Sequence, residues 1–568
     1  MNNNKHFVWV IILITVSLLL GFFIGKYYRQ RGPQIKILRT GQNKINEALG
    51  VIAYNYVDSV NIDHLTESAV EKIVSELDPH SSYIPASEVD ISKEDLESTF
   101  GGIGIEFNMN TDTILVISII SGGPAEKAGL MPFDRILKVN DSIVAGQNIA
   151  QTKMMRLLRG PKGSKVVLGI QRGNVDNIID FELTRGDIPN YSIDVSYKIS
   201  DNIGFIKVSK FARSTYYEFL TAIAKLKQEG VRGFIIDLRG NPGGYMEAAI
   251  NMINEFLLKD QMIVYTQGNN YRRMNSLSDG KGSCQDAPLV VLIDELSCSA
   301  SEIFSGAIQD NDRGLIIGGR SYGKGLVQTK IDLSDKSELL LTIARYYTPS
   351  GRCIQKEYEL GKSEEYGLDI INRYKHGEFF NADSIKMKDS LEFKTVGGRT
   401  VYGGGGIMPD IFIPRDTTGV TSYYSNIVNS GVLYQFVLDY SEKNHDLLDK
   451  FGDYKELYEH LKRQPLVNEL VEYAASYGIK KRPNLLNISY NLIERQLYAY
   501  IIRHFDKEGF FPIIHQEDAT VNKAIDIIRK GVWRPEIYEQ YNRNTKEEPL
   551  SSVVIPSGKS SKSLYANA

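Results

Sequence analysis

Leu296 to Phe304 reads LSCSASEIF and sets serine at alternate positions, Ser297, Ser299 and Ser301, with Glu302 following. A serine hydroxyl becomes a nucleophile when a neighbouring base takes its proton. The chain holds eight histidines, none obviously placed for that task. Lys324, 25 residues beyond Ser299, is a better base. A lysine acts so only when uncharged, which requires its pKa to fall from about 10.4 to roughly 7–8. Three units correspond to about 4 kcal/mol, within reach of burial among apolar neighbours. Gln328, four residues on, adds a neutral amide that can orient the amine without a charge that would raise its pKa.

Each residue also has a plainer reading. Ser299 to Glu302 is S-x-x-E, a capping box at a helix start, although a helix N-terminus also aims N–H groups at any oxyanion beside it. Taken singly, Lys324 is a solvated loop lysine and Gln328 a strand-surface amide. The stretch GGRSYGKGLVQ (Gly318 to Gln328) carries two decoys. Gly319 to Gly323 matches G-x-S-x-G, but a strand follows where the nucleophile elbow needs a helix. Gly318 to Lys324 matches G-x-x-x-x-G-K, but Gly325 stands where a phosphate loop needs Ser or Thr.

The positioning elements are legible around these motifs. Residues 200–350 alternate strands and helices: IGFIKVSKF, then a helix over Tyr216–Gln228, then GFIIDLRG, then a helix over Tyr245–Leu258. Leu289–Ile293 is a strand, Ser301–Gln309 a helix and GLIIGG a strand. Such alternation predicts an α/β sheet with chemistry at strand ends. Residues 352–410 are polar and irregular and read as a lid or flap. Helical spacing recurs over 34–98, with Ile45, Leu49, Ile52 and Ala53 on one stripe, and again from about 420 to 546. His80, in LDPHSSYIP, reads as a hydrogen-bonded structural histidine.

Residues 99–186 resemble a PDZ domain, through GGIGI (Gly101 to Ile105), GGPAEKAGL, FDRILKVN and RGPKGS in that order. The resemblance implies that Gly101, Gly102, Ile103, Gly104 and Ile105 receive a peptide's terminal carboxylate, the next strand taking the peptide as an added strand.

SCSASEIFSGAIQD…YGKGLVQ resembles the signature of the carboxy-terminal processing (tail-specific) proteases, serine peptidases with a Ser–Lys dyad and an assisting Gln. The resemblance spans roughly residues 40–415. It implies Ser299 as nucleophile, Lys324 as base, Gln328 as the assisting amide, and an oxyanion hole from Gly243 or Gly244 with Ala300. It also implies an α/β core of crotonase/Clp-like architecture and an exported catalytic part, in the periplasm or cell envelope. Its expected partners are protein substrates with accessible C-termini, with an adaptor or homo-oligomer left open. Cys298, at a position often held by alanine in the family, raises an expectation of thiol sensitivity.

Bulk properties narrow the rest. A formal net charge of -3 gives no basic field for nucleic acid. Three cysteines, Cys284, Cys298 and Cys353, read as free thiols, and no metal-ligand spacing occurs, so no metal or cofactor is expected. Phe7 to Gly25 runs nineteen residues without a charge. As a helix it would be roughly 28 Å long, near the bilayer core of about 30 Å, and reads as a retained anchor in preference to a cleaved signal. The expected domains are therefore an anchor or signal segment (1–33), an N-terminal helical segment (34–98), a PDZ domain (99–186), and a peptidase core with its insert (187–416). A C-terminal helical domain (417–546) and a disordered tail (547–568) complete them. The alternative is a non-catalytic, membrane-anchored PDZ scaffold.

Overall fold

The computed structural model describes residues 43–94, 96–109, 112–173, 177–386 and 389–545. The segments expected as anchor (1–33) and disordered tail (547–568) lie outside the described residues. Among the described residues no helix is long and apolar enough to cross a membrane. The chain divides into two compact units, Met1–Ile73 and Val74–Ala568. In the first, α1 (Asn43–Asn55) and most of α2 (Ile62–Ser75) are helices. Ile45 is 46 % and Ile52 37 % exposed, so among the described residues the apolar stripe is not covered.

The second unit begins with a turn over residues 77–81 leading into β1 (Ser82–Ile84). A β-rich module follows, closed at its base by β2 (Thr99–Gly102). It contains β3 (Ile105–Asn108), β4 (Ile114–Ile119), α3 (Pro124–Ala128), β5 (Arg135–Val139) and β6 (Ser142–Ile143). Next come α4 (Gln151–Leu158), β7 (Lys165–Gln171), β8 (Ile178–Thr184) and β9 (Gly186–Pro189), which pairs with β2. The sheet order is β3-β4-β5-β7-β8, with β6 on β5, so β3 is an edge strand. Gly129 caps α3 at φ 84°, a left-handed position suited to glycine.

The core runs through β10 (Ile193–Ser200), β11 (Ile203–Val208), α5 (Thr215–Gln228), β12 (Gly233–Asp237), α6 (Met246–Asn254), β13 (Met262–Gln267) and β14 (Met274–Leu277). It continues with β15 (Leu289–Ile293), α7 (Ala300–Asp310), β16 (Leu315–Gly318), β17 (Leu326–Asp332) and β18 (Glu338–Tyr347). One sheet has the order β10-β11-β12-β15-β16, parallel from β11 onward; the other joins β1, β18, β13 and β14, with β17 on β18. The parallel strands are buried on both faces, which is why they read as unbroken apolar runs. In β12, Phe234 and Ile236 pack in the cluster that includes α5, α6 and α7, while Ile235 packs with Val521, Ala524 and Ile527 of the C-terminal region.

Residues 352–410 are more ordered than their composition suggests. They hold a hairpin, β19 (Glu392–Lys394) and β20 (Thr400–Tyr402), and lead into β21 (Ile411–Phe412), which joins the parallel sheet beside β16. Ion pairs fasten the segment: fully buried Arg352 donates to Asp310 at 2.7 Å, and Arg399 to Asp312 and Asp410 at 2.6 Å each. Polar residues here are paired across the fold, so polarity does not signal a loose loop.

The C-terminal residues are helical, including α8 (Val432–Lys443) and α9 (Pro483–Phe505). They hold the outer face of the PDZ-like sheet. Leu115 and Phe133 cluster with Leu438, and Arg135 donates bidentately to Glu442, both bonds 2.7 Å. Phe133 also packs edge-on to His445 and lies against His504. Glu442→Arg is expected to speed amide exchange in β4 and β5 roughly ten-fold, about 1.4 kcal/mol, leaving β12 and β15 unchanged. Adding Arg135→Glu should restore protection; unchanged exchange in the single variant would show that the pair holds nothing.

Candidate active site

Of the three alternating serines, two have structural hydroxyls. Ser297 Oγ donates to Leu238 O at 2.8 Å, and Ser301 Oγ to Asn241 O at 3.0 Å; both side chains are buried. Ser299 is different. It stands at the N-cap of α7 with φ 56° and ψ -112°, a conformation rare for a residue with a Cβ. Non-glycine strain of this kind persists only where the surroundings over-determine it, and it clusters at functional sites.

Asn241, fully buried, makes those surroundings. Its carbonyl accepts from Cys298 N at 3.0 Å as well as from Ser301 Oγ, and its Nδ2 donates to Val208 O at 2.9 Å. Its Oδ1 accepts Gly243 N–H at 2.8 Å. A Cβ at Gly243 (φ 101°) would stand 2.8 Å from both Cys298 O and Ser299 Cβ; one at Gly244 (φ 140°) would stand 2.1 Å from Phe211 O. The glycine turn thus lies directly against the nucleophile candidate. The two glycines differ, however. Gly243 N–H is already satisfied by Asn241, whereas among the described residues Gly244 N–H and Ala300 N–H have no acceptor.

Lys324 lies in the loop before β17, partly buried. Its amine donates to Gln328 Oε1 at 2.8 Å, and no hydrogen bond joins it to the Ser299 hydroxyl in this arrangement. Burial pushes its pKa below the ordinary lysine value, against the opposing pull of Cys298, Glu302 and Asp78. Gln328 Nε2 donates to the carbonyl of His80. The His80 ring meets Tyr366 Oη at 2.9 Å; burial, then the Lys324 charge, push it down to about 4, so it is neutral at neutral pH.

Two groups tie Ser299 to Lys324. Glu302 Oε2 accepts Ser299 N at 2.9 Å and Lys324 N at 2.8 Å, while Oε1 accepts Ser321 Oγ at 2.5 Å and Gly323 N at 2.7 Å. Tyr346 Oη, also buried, contacts the carbonyls of both residues, Ser299 at 3.1 Å. Sequence spacing marked Glu302 only as a capping residue; its bonds to Ser321, Gly323 and Lys324 are tertiary and left no local signal. Burial pushes its carboxyl up to about 7. Every neighbour is a donor, so the geometry suits the ionised form.

Ser321, the serine of the G-x-S-x-G decoy, is fully buried, donating to Glu302 and accepting Ile407 N at 2.6 Å. Burial and then Glu302 push the Cys298 thiol well above its ordinary value, which lowers its thiolate fraction at neutral pH. All three cysteines are free. Gly102, Ile103, Gly104 and Ile105 line a groove of about 280 Å³ with Gln151, Met155, Leu158 and Arg159. Gly101 stands next to it in the β2–β9 ladder, where a Cβ would come within 2.2 Å of Gly160 O.

Residues 202–361 match peptidase family S41, residues 101–183 match the PDZ domain, and residues 423–505 match a family of unknown function, DUF8443. The chain is 34 % identical over 368 residues to the probable CtpA-like serine protease of Staphylococcus haemolyticus, covering 64 % of this chain and 73 % of the relative. It is 35 % identical over 357 residues to carboxy-terminal processing protease CtpA of Bacillus subtilis (62 % and 75 %), and 32 % identical over 356 residues to CtpB of the same organism (62 % and 71 %). The fold is that of an S41 peptidase carrying a PDZ domain. The chain belongs to the carboxy-terminal processing proteases and is a serine-type peptidase, which sets aside the non-catalytic scaffold.

Glu302→Gln would turn an NH2 group towards two existing donors. With about 1–3 kcal/mol for each unsatisfied buried donor, a loss of about 2–6 kcal/mol is expected in urea unfolding, with at least ten-fold lower kcat in the folded fraction. Stability within about 0.5 kcal/mol of wild type would mean that these donors have other partners.

Proposed function

We propose that Ser299 is the nucleophile and Lys324 the general base of this peptidase, with Gln328 holding the amine. The observation that carries the reading is the pair of shared contacts, Glu302 Oε2 and Tyr346 Oη, that bind the backbones of Ser299 and Lys324 to each other. The neutral amine keeps Gln328 through one N–H and takes the Ser299 proton on its lone pair as Oγ bonds to the scissile carbonyl carbon. The oxyanion is received by Gly244 and Ala300 N–H, which have no acceptor among the described residues; Gly243 is the less suitable of the two glycines because Asn241 already takes its N–H. Collapse breaks the C–N bond, and the ammonium returns its proton to the leaving amine. Lys324 then deprotonates a water that attacks the acyl carbon; collapse breaks the C–Oγ bond, and the ammonium returns its proton to Ser299 Oγ.

We further propose that residues 99–186 take the substrate's C-terminus as a strand added to β3, its carboxylate at Gly102–Gly104. The edge position of β3 beside the groove supports this. The core (187–416) would follow the crotonase/Clp arrangement, and of the helical residues 417–546 the stretch holding Val521, Ala524 and Ile527 packs on the core's parallel sheet. The uncharged run of residues 7–25 favours a membrane-anchored enzyme with an exported catalytic part. Protease added to intact spheroplasts should then degrade the catalytic part, and full protection would refute export.

The central test compares wild type, Ser299→Ala and Lys324→Ala on an unstructured protein with an apolar C-terminus. Both variants are expected to lose at least about 10³-fold in kcat. Wild-type cleavage by either refutes the dyad. Because the protonated amine is inactive, activity rises as pH climbs through the lowered lysine pKa and is lost on acidification; protonation of Glu302 near pH 7 acts in the same direction. Half-maximal activity at about pH 5 would exclude a lysine base. Amidating the substrate's C-terminus should raise KM at least about ten-fold, and an unchanged KM would refute carboxylate recognition.

A further inference from the structure

Gln328 can help Lys324 in only one of its two amide orientations. With Oε1 facing the amine it accepts an N–H and leaves the lone pair open. With Nε2 facing the amine it would donate to that lone pair and block it. The two orientations have nearly the same shape, so an external group has to choose between them. The His80 carbonyl makes the choice: it only accepts, so it demands Nε2 and leaves Oε1 for Lys324.

The carbonyl is placed by Asp78. Asp78 Oδ1 accepts His80 N at 3.0 Å, Ser81 N at 3.1 Å and Thr342 Oγ1 at 2.9 Å, and Oδ2 accepts Ser81 Oγ at 2.6 Å. Ser81 Oγ in turn accepts Thr342 N at 3.1 Å. Thr342 is the register partner of Gln328 across the β17–β18 ladder. The Asp78 carboxylate therefore folds the Asp78–Ser81 turn and fastens it to the strand position opposite Gln328. Asp78 is only 7 % exposed, and none of its hydrogen bonds reaches Lys324.

We propose that Asp78 is a positioning residue for the peptidase reaction, acting through the His80 carbonyl to hold Gln328 with Oε1 towards Lys324. The inference rests on the Ser299–Lys324 reading, and the test separates the two. Asp78→Ala, Gln328→Ala and the double variant are compared with Lys324→Ala by steady-state kinetics. Asp78→Ala and Gln328→Ala are each expected to lower kcat ten- to a hundred-fold with KM within two-fold. The double variant is expected to be no worse than the poorer single variant by more than about two-fold, because both remove the same orientation. A merely structural Asp78 would give losses that multiply in the double variant, and that result overturns the proposal, as does wild-type kcat in Asp78→Ala. If Lys324→Ala keeps wild-type activity, the dyad and this inference fall together. If Lys324→Ala and Gln328→Ala lose activity while Asp78→Ala does not, this inference alone falls. Should Asp78→Ala not fold, Thr342→Val removes the fastening hydroxyl without changing volume. It is expected to show a smaller kcat loss, non-additive with Gln328→Ala; multiplying losses there overturn the proposal equally.

Discussion

A lysine amine works as a base only while no carboxylate takes it as an ion-pair partner. An adjacent ionised acid favours the charged form and can shift a pKa by one to three units, roughly enough to cancel what burial supplies. Two acids stand close enough to act on Lys324, Glu302 and Asp78. Each is saturated by four other hydrogen bonds: Glu302 by Ser299 N, Ser321 Oγ, Gly323 N and Lys324 N, Asp78 by His80 N, Ser81 N, Ser81 Oγ and Thr342 Oγ1. Neither bonds to the amine, which instead meets the neutral Gln328. In the proposed dyad, the acids that shape the site thus leave the Lys324 amine without an ion-pair partner. Cys298, the other group opposing the downward shift, is held as a neutral thiol by burial and so contributes no charge at neutral pH.

What could be read from sequence follows from how local each signal is. The apolar runs of β12, β15 and β16 were legible because strands buried on both faces need unbroken hydrophobicity. Ser299, Lys324 and Gln328 drew attention only together, through their likeness to the protease signature; taken singly, each kept a plainer reading. The role of Glu302 was hidden behind its capping box, since its other three donors come from a loop 19 to 22 residues away. The His80 carbonyl had no signal at all, because a backbone acceptor leaves no trace in residue identity. GGIGI likewise does not say which glycine packs against Gly160 and which lines the groove. The polar stretch 352–410 looked loose because ion pairs such as Arg352–Asp310 are formed across the fold.

The Ser299 turn and the glycine turn behave as one piece, and Asn241 is the reason. An asparagine offers a carbonyl and an amide on its side chain in addition to its backbone groups, so a single buried residue can engage several strands of chain at once. Here Oδ1 takes Gly243 N–H, the backbone carbonyl takes Cys298 N–H and Ser301 Oγ, and Nδ2 holds Val208 O at the end of β11. The residues on either side of Ser299 are thus pinned to the same residue that shapes the glycine turn. Ser299 has no freedom to relax from φ 56°, and Gly243 has no room for a Cβ. The strain is sustained by hydrogen bonds that lie outside the reacting atoms. It follows that Gly244 and Ala300 N–H are set relative to Ser299 before any substrate arrives, so the proposed oxyanion hole would need no reorganisation of the backbone.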